Sequence, residues 1–373
     1  MVVPLAARSA AAVVGGLLVV AAVASVIGTL IVPRRVGGWL IGWVQGAVNR
    51  AFRLATSTTA DYRRRDRVLA AEAATILLAQ LAVWMVFAFV GYALLLWPFA
   101  TGGVTSALTA AGSSLFTLGF AVPRGAAPVA IVCAAAATGL VIITLQIAYL
   151  PTLYSAFNRR ETEVALLNAR AGVPSWGPEL LGRTHYALGS GLSTLDTLPE
   201  LYTRWERWAA DVAESHTTYL PLVRFRSPRP LSSWVTALLA TLDSAALFLA
   251  LSPGAAPVVP ARLFLRAGFQ CFNEIARAMG IDVPSEPDPN GEITLTYQEF
   301  LDAIDRMKDV NFPIEREAAD AWPDFVGWRL NYEQTAYAVA AAVDAVPALW
   351  SGPRRIHTPA IAPIRPGRGR QPK

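Results

Sequence analysis

Lysine is almost missing from this chain. Of its 32 basic residues only Lys308 and Lys373 are lysines, so arginine carries the formal charge of +5. Charge of either sign is sparse. Only 16% of the 373 residues are charged, against 54% apolar, and the mean hydropathy is positive. That balance excludes an ordinary soluble domain and points to a membrane protein with a soluble part. Arginine- and alanine-rich, lysine-poor usage also suggests a GC-rich bacterial genome. The two cysteines exclude a disulfide framework, because Cys133 falls in an apolar run and Cys271 in an amphipathic helical pattern. His185, His216 and His357 are too scattered for a zinc cluster or a histidine-centred nucleophile. There is no glycine-rich phosphate loop. The acids Glu200, Glu206, Asp211 and Glu214 lie among Trp205 and Trp208 on a charged helical stretch and read as a solvated face. Catalysis by carboxylates needs two with a reason to differ in pKa, and no such pair stands out. No enzyme, no cofactor and no nucleic-acid partner is expected.

Long apolar runs are what the chain has instead. Residues 11–32 are 22 residues without a charge, roughly 33 Å as a helix and enough to cross a bilayer. A secretory signal is the rival reading, since Arg8 precedes the run and Ala22-Val23-Ala24 imitates a cleavage site. A signal core is only about 7–15 residues long. This run continues to Val32 and stops at Pro33-Arg34-Arg35, so an uncleaved span is expected. A second span is expected over 69–98, with Tyr92 and Trp97 at its far end, and a third over 128–150, with Gly139 in its middle. Arginine sets the orientation. The 33–68 segment holds eight arginines, whereas 99–127 holds only Arg124. The positive-inside rule therefore places 33–68 and everything beyond the third span in the cytoplasm. Within 36–55, Val36, Leu40, Val44, Ala47 and Phe52 recur at helical spacing beside Trp39 and Trp43. This reads as a helix in the inner membrane interface, with a solvent-facing linker helix as the alternative.

The outward-facing segment between spans two and three carries the most specific pattern. Residues 104–116 would descend roughly 18 Å as a helix, and 117–121 would climb back roughly 15 Å extended. A filter of a cation channel needs such strips, four chains each presenting backbone carbonyls to one axis. The helix C-terminus would aim its partial negative charge at the cavity below. Thr117-Leu118-Gly119-Phe120 after a helix, between two spans, resembles the two-span-plus-pore-loop unit of prokaryotic potassium-channel-like proteins. The resemblance covers roughly 70–160. It implies a homotetramer in the lipid bilayer, with Thr117, Leu118, Gly119, Phe120 and Ala121 as the ion filter and Gly139 as the inner-helix hinge. It implies no metal site beyond a permeant monovalent cation. The segment from Tyr149 through Glu161 resembles the end of the family's inner helix. There are departures. Ala121 stands where the family has a glycine that accepts positive φ, and an L-residue held there costs roughly 1–2 kcal/mol. Ser114 and Phe116 replace threonines usual in the pore helix. Val122 stands where an acid is common, and Arg124 at the mouth repels cations. A loop with no ion path is the competing reading.

Beyond residue 160, proline and glycine punctuate short helical patterns. Residues 231–251 imitate a fourth span, but Asp243 at their centre would cost about 3 kcal/mol on insertion. Arginines flank both ends, so a buried helix of a soluble bundle is expected. The helical pattern 261–279 has Leu263, Leu265, Phe269, Phe272, Ile275 and Met279 at core-like spacing. Glu286 to Ile293 imitates a calcium loop. With Gly291 at its sixth position the bidentate acid should be residue 297, which is Tyr297. Thr296-x-x-Glu299 reads more simply as a capping box. The Pro- and Arg-rich 351–373 reads as a disordered tail.

The expected architecture is an all-α membrane protein with three transmembrane helices, a re-entrant pore helix and filter-like loop, and a helical cytoplasmic domain. Its parts are an N-terminal transmembrane helix (1–35), an interfacial linker (36–68), a channel-like pore unit (69–160), a cytoplasmic domain (161–350) and the basic tail (351–373). A multi-pass protein of the cell's inner membrane is expected, possessing cation conduction or, alternatively, serving as a non-conducting anchored scaffold or sensor.

Overall fold

The apolar runs fold as helices, and how much of each is covered by protein separates them. The computed structural model describes residues 5–32, 39–59, 61–186, 194–284 and 287–352. Pro33-Arg34-Arg35, Val36, Glu286 and the tail from 353 lie outside the described residues, as does the side chain of His185. Among the described residues there are thirteen α-helices and no strand. In the first part these are α1 (Leu5–Leu30), α2 (Trp39–Thr56), α3 (Tyr62–Leu69), α4 (Glu72–Leu96), α5 (Gly103–Leu115) and α6 (Ala126–Ala171). There follow α7 (Gly177–Tyr186), α8 (Leu198–Thr218), α9 (Trp234–Leu251), α10 (Val258–Ala278), α11 (Tyr297–Lys308), α12 (Ala318–Arg329) and α13 (Glu333–Ala342).

Four stretches are long and apolar enough to cross a membrane: in α1, in Tyr62–Phe99, in α6 and in α9. This is a membrane protein. The first three bury 17%, 39% and 28% of their most apolar window inside the chain, whereas α9 buries all of it. The chain divides into two units, residues 1–60 with 67–155 and residues 61–66 with 156–373. The division at 155/156 falls inside α6, slightly before the expected boundary at 160/161, and it splits the 36–68 linker.

In the first unit, α1 and α4 meet backbone to backbone. A Cβ on Gly15 would lie 2.5 Å from the Gly91 carbonyl oxygen, and one on Gly91 would lie 2.9 Å from that of Gly15. Lipid tails are as apolar as leucine, so helices in a bilayer hold together through such close packing and through polar contacts. The Trp84 Nε1–H supplies one of these, donating to Ser25 Oγ at 3.0 Å. Helix α2 is amphipathic as its spacing suggests. Leu40, Ile41 and Val44 are buried, while Trp43 and Leu54 stay exposed.

The second unit is built around α9, every residue of which is buried. Asp243, in the middle of that helix, has its partner 86 residues away. The Arg329 guanidinium donates to the Asp243 carboxylate, to Glu333, to Tyr337 Oη (2.9 Å) and to the Trp350 carbonyl (2.8 Å). Tyr332 Oη also donates to Asp243 at 2.6 Å. Phe325, Tyr332, Tyr337 and Trp350 surround the guanidinium at 5.5–6.0 Å. Helix α7 reaches α9 at Gly177, where a Cβ would lie 2.8 Å from that of Asp243. The capping box at the start of α11 forms as expected, with Thr296 and Glu299 each accepting the other's backbone N–H.

A second buried arginine anchors the part of α6 that belongs to this unit. Arg160 is fully buried and donates to Glu161 Oε1 (2.9 Å), the Leu222 carbonyl (2.8 Å), the Phe225 carbonyl (2.7 Å) and His216 Nε2 (2.9 Å). An arginine N–H is only a donor, so His216 Nε2 must accept and the ring is neutral with its proton on Nδ1, facing Ser215 Oγ at 3.0 Å. Burial, and then the Arg160 charge, push the His216 pKa well below 6.5. Burial pushes the Cys271 thiol pKa up, which leaves that cysteine inert as expected.

Two outcomes follow for stability. Asp243→Ala strands a buried guanidinium beside a single carboxylate and should destabilise the protein by about 3–5 kcal/mol, read from denaturant unfolding. The depressed His216 pKa means the unfolded chain takes up that proton first as pH falls. Stability held above about pH 6.5 should therefore decline below it, by up to about 1.4 kcal/mol per unit. His216→Gln, which keeps an acceptor for Arg160, should flatten that decline between about pH 6.5 and 5.

Candidate functional site

Helix α5 is short, thirteen residues rich in alanine and serine, and it ends deep against its neighbours. A Cβ on Gly112 would meet Phe89 of α4 at 3.3 Å, and the Phe89 and Phe116 rings lie 6.4 Å apart. On the other side a Cβ on Gly139 would sit 2.0 Å from the Leu115 carbonyl oxygen. No side chain fits there. A Cα–H of Gly139 faces the oxygen instead, a weak but recurrent helix-to-helix contact. Gly139 is thirteen residues into α6, roughly 20 Å from its start. The end of α5 therefore reaches the middle of the apolar part of α6. Helix α6 runs unbroken through Gly139, so the geometry gives this glycine a close-packing role and offers no support for a hinge at it.

The chain leaves α5 by a Schellman turn with an unusual residue in it. The Thr117 N–H donates to the Ser114 carbonyl (2.9 Å) and the Leu118 N–H to the Ser113 carbonyl (2.8 Å). That pattern puts the residue after the cap in the left-handed region, a place for glycine. Here it is Thr117, at φ 56°. A β-branched residue there is strained by roughly 1–3 kcal/mol. Gly119 also has positive φ, 74°, with open space where a Cβ would be. Ala121 is not among the positive-φ residues. The strain expected at Ala121 from the filter pattern is thus corrected: it falls on Thr117, because the turn that closes α5 needs its left-handed residue four positions earlier.

Ser113 organises the strip, and the sequence pattern did not single it out. It is fully buried. Its carbonyl accepts the N–H groups of Leu118 and Gly119, and its Oγ accepts that of Ala121 at 2.9 Å. With the Thr117 bond to Ser114, four of the strip's five N–H groups, all but that of Phe120, are tied back to α5. Its acceptors are not: among the described residues, no donor reaches the carbonyls of Thr117, Leu118, Gly119, Phe120 or Ala121. Leu118, Phe120 and Val122 are 64%, 65% and 75% exposed. Arg124 is exposed as well and has no described acidic partner.

Helix α6 presents three faces along its apolar part. Val132, Ala135, Gly139, Ile142, Gln146 and Tyr149 form a buried stripe at alternating spacings of three and four. A second, exposed stripe is large and apolar, with Leu140, Ile143, Ile147 and Tyr154. A third, also exposed, is mostly small: Ala130, Ala134, Ala137, Thr144 and Ala148, with Val141 the one larger residue among them. At 100° per residue the small stripe lies nearly opposite the buried one.

No protein-family model, no curated protein and no solved structure matches the chain.

Proposed function

We propose that this chain is a potassium-channel-like membrane protein, four copies of which bring residues 117–121 together around a cation path. The five open carbonyls carry the reading. Backbone acceptors at membrane depth are tolerated only where they are buried in protein or line a water-filled cavity, and rows of such carbonyls are how selectivity filters replace an ion's water. The depth of α5, set at Phe89 and Gly139, supports a re-entrant pore helix. The apolar exposure of the strip and the small stripe of α6 support close approach of further copies, with the larger stripe left to lipid. The burial of α9 supports three spans, with α9 in the core of a cytoplasmic domain. The arginine-rich 33–68 segment supports an inner-membrane location with that domain inside.

A second reading is favoured by Arg124 and Val122. In a tetramer four unpaired guanidinium groups would ring the mouth, where a conducting channel gains from acids. On this reading the pore architecture is kept as an anchor and the protein acts as a scaffold or sensor.

Purified protein should run as a tetramer by mass in detergent and pass potassium in liposomes under a potassium gradient. Gly119→Val, strained at φ 74° and placing a side chain in the strip, should abolish the flux. A monomeric mass, or no flux that survives Arg124→Gln, would sink the conducting reading. Thr117→Gly relieves a left-handed threonine and should raise the thermal midpoint, by an amount equivalent to about 1 kcal/mol. Gly139→Val should displace α5 and lower that midpoint, while a hinge role alone would leave it unmoved.

A further inference from the structure

In the second unit a cleft of about 480 Å³ opens between α6 and the segment 227–232. That volume is within the range of small-molecule sites, which usually join an apolar wall to a few placed polar groups. Val164 and Ala165 form the apolar wall. The polar groups are more unusual. Glu161 lines the cleft and is only 9% exposed. Its Oε1 accepts the Arg160 Nε–H at 2.9 Å and lies 2.8 Å from Arg160 Nη2, and its Oε2 has no donor among the described residues. That second oxygen of a largely buried residue is open to a donor arriving from the cleft. Ser227 also lines the cleft, and its buried Oγ lacks a partner as well. Asn168 donates through Nδ2 to Ser232 Oγ at 2.9 Å, which leaves its Oδ1 without a described donor. At the rim stands Arg229, exposed and without a described acidic partner.

Acceptors short of donors thus lie inside, and one uncommitted cation lies at the edge. A plain anion would satisfy Arg229 and meet the Glu161 carboxylate. A plain amine would satisfy Glu161 and leave Arg229 alone. We propose that the cleft binds a small zwitterion of the α-amino-acid class, its ammonium on Glu161 Oε2 and Asn168 Oδ1 and its carboxylate on Arg229. The ammonium has three donors for these acceptors and Ser227 Oγ. The carboxylate suits the planar fork of a guanidinium. The site adjoins Arg160 through Glu161, so its occupant touches the charge pair that anchors α6 in this unit. Binding does not depend on whether the protein conducts.

The test is equilibrium dialysis of the purified full chain in detergent against the standard L-α-amino acids, tried one by one, with ethanolamine and acetate as half-ligands. At least one amino acid should bind one-to-one per chain, and neither half-ligand should bind at the same concentration. Arg229→Gln, an exposed change that leaves the fold alone, should weaken binding about tenfold or more. Asn168→Leu should do the same. Failure of every amino acid at about 10 mM, a regime that still detects millimolar dissociation constants, would overturn the proposal. Binding of acetate alone would reduce the cleft to an anion site and overturn it too, as would amino-acid binding indifferent to both substitutions.

Discussion

The contact between the Leu115 carbonyl and Gly139 sets the depth of everything in the candidate site. With 2.0 Å between that oxygen and the position of a Cβ, only glycine lets α5 and α6 approach so closely. Once α5 stops there, the chain must return to Ala126 through ten residues, and the Schellman turn at Thr117 starts that return. The bond from Ala121 to the buried Ser113 hydroxyl then holds the far part of the strip against α5. Four of the five N–H groups are used inside the chain, while none of the five carbonyls meets a donor among the described residues. A strip with this polarity has a chemical preference of its own: it favours positive charge, or water donating to it.

Small residues do the corresponding work elsewhere in the first unit. Gly15 and Gly91 bring α1 and α4 to backbone contact, with the Trp84–Ser25 hydrogen bond further along the same pair. The second unit has such a contact at Gly177 and adds buried arginines to it. Arg160 and Arg329 each saturate a set of carbonyls and carboxylates from several elements, and aromatic faces surround both. Such pairs add little net stability relative to well-packed apolar groups, but losing one partner is severe. They act as constraints on which arrangement of helices is allowed. Arg160 fixes the polypeptide just beyond the apolar part of α6, so the helix that passes Gly139 is also the one that enters the second unit on a charged anchor.

Much of this was legible as pattern, and less of it as partnership. The helix expected over 104–116 forms over Gly103–Leu115, and the capping box at Thr296 and Glu299 forms as its spacing implies. Local hydrogen bonding and apolar periodicity decide such features within a few residues. Asp243 was legible only as a reason against membrane insertion, because its partner Arg329 lies on another helix. Nothing in the sequence sets Arg160 apart, since nothing local distinguishes a buried guanidinium from a surface one. Trp205 and Trp208 lie on a charged helix as expected, yet both are buried: the acids occupy one face and the tryptophans the other. The filter-like motif misplaced the strained residue. Sequence order pointed to Ala121, whereas the turn geometry that ends α5 selects Thr117. The role of Ser113 depends on its burial, which a single serine in an alanine-rich helix does not announce.

Two opposed electrostatic effects bear on the proposed ion path, and their magnitudes differ by location. The end of α5 carries a partial negative charge of about half a unit. The Gly112, Ser113 and Ser114 carbonyls already accept N–H groups of the following turn, and Leu115 faces Gly139, so that end is capped rather than bare. The field of the aligned peptides persists, and Ser113 and Leu115 at that helix end are fully buried, where the effective dielectric constant is lower than at the surface. Arg124 carries a full positive charge but is exposed, and salt screens exposed charges beyond about 8 Å at physiological ionic strength. In a four-fold assembly both effects multiply equally, so the dielectric difference decides between them. On the proposed reading, arginine at the rim would govern how often a cation arrives, in a salt-dependent way, whereas the open carbonyls and the α5 end would govern whether it stays. Val122, uncharged and exposed beside the strip, leaves that division unaltered. If the chain conducts as proposed, Arg124 and Val122 would weaken access more than they weaken the strip itself.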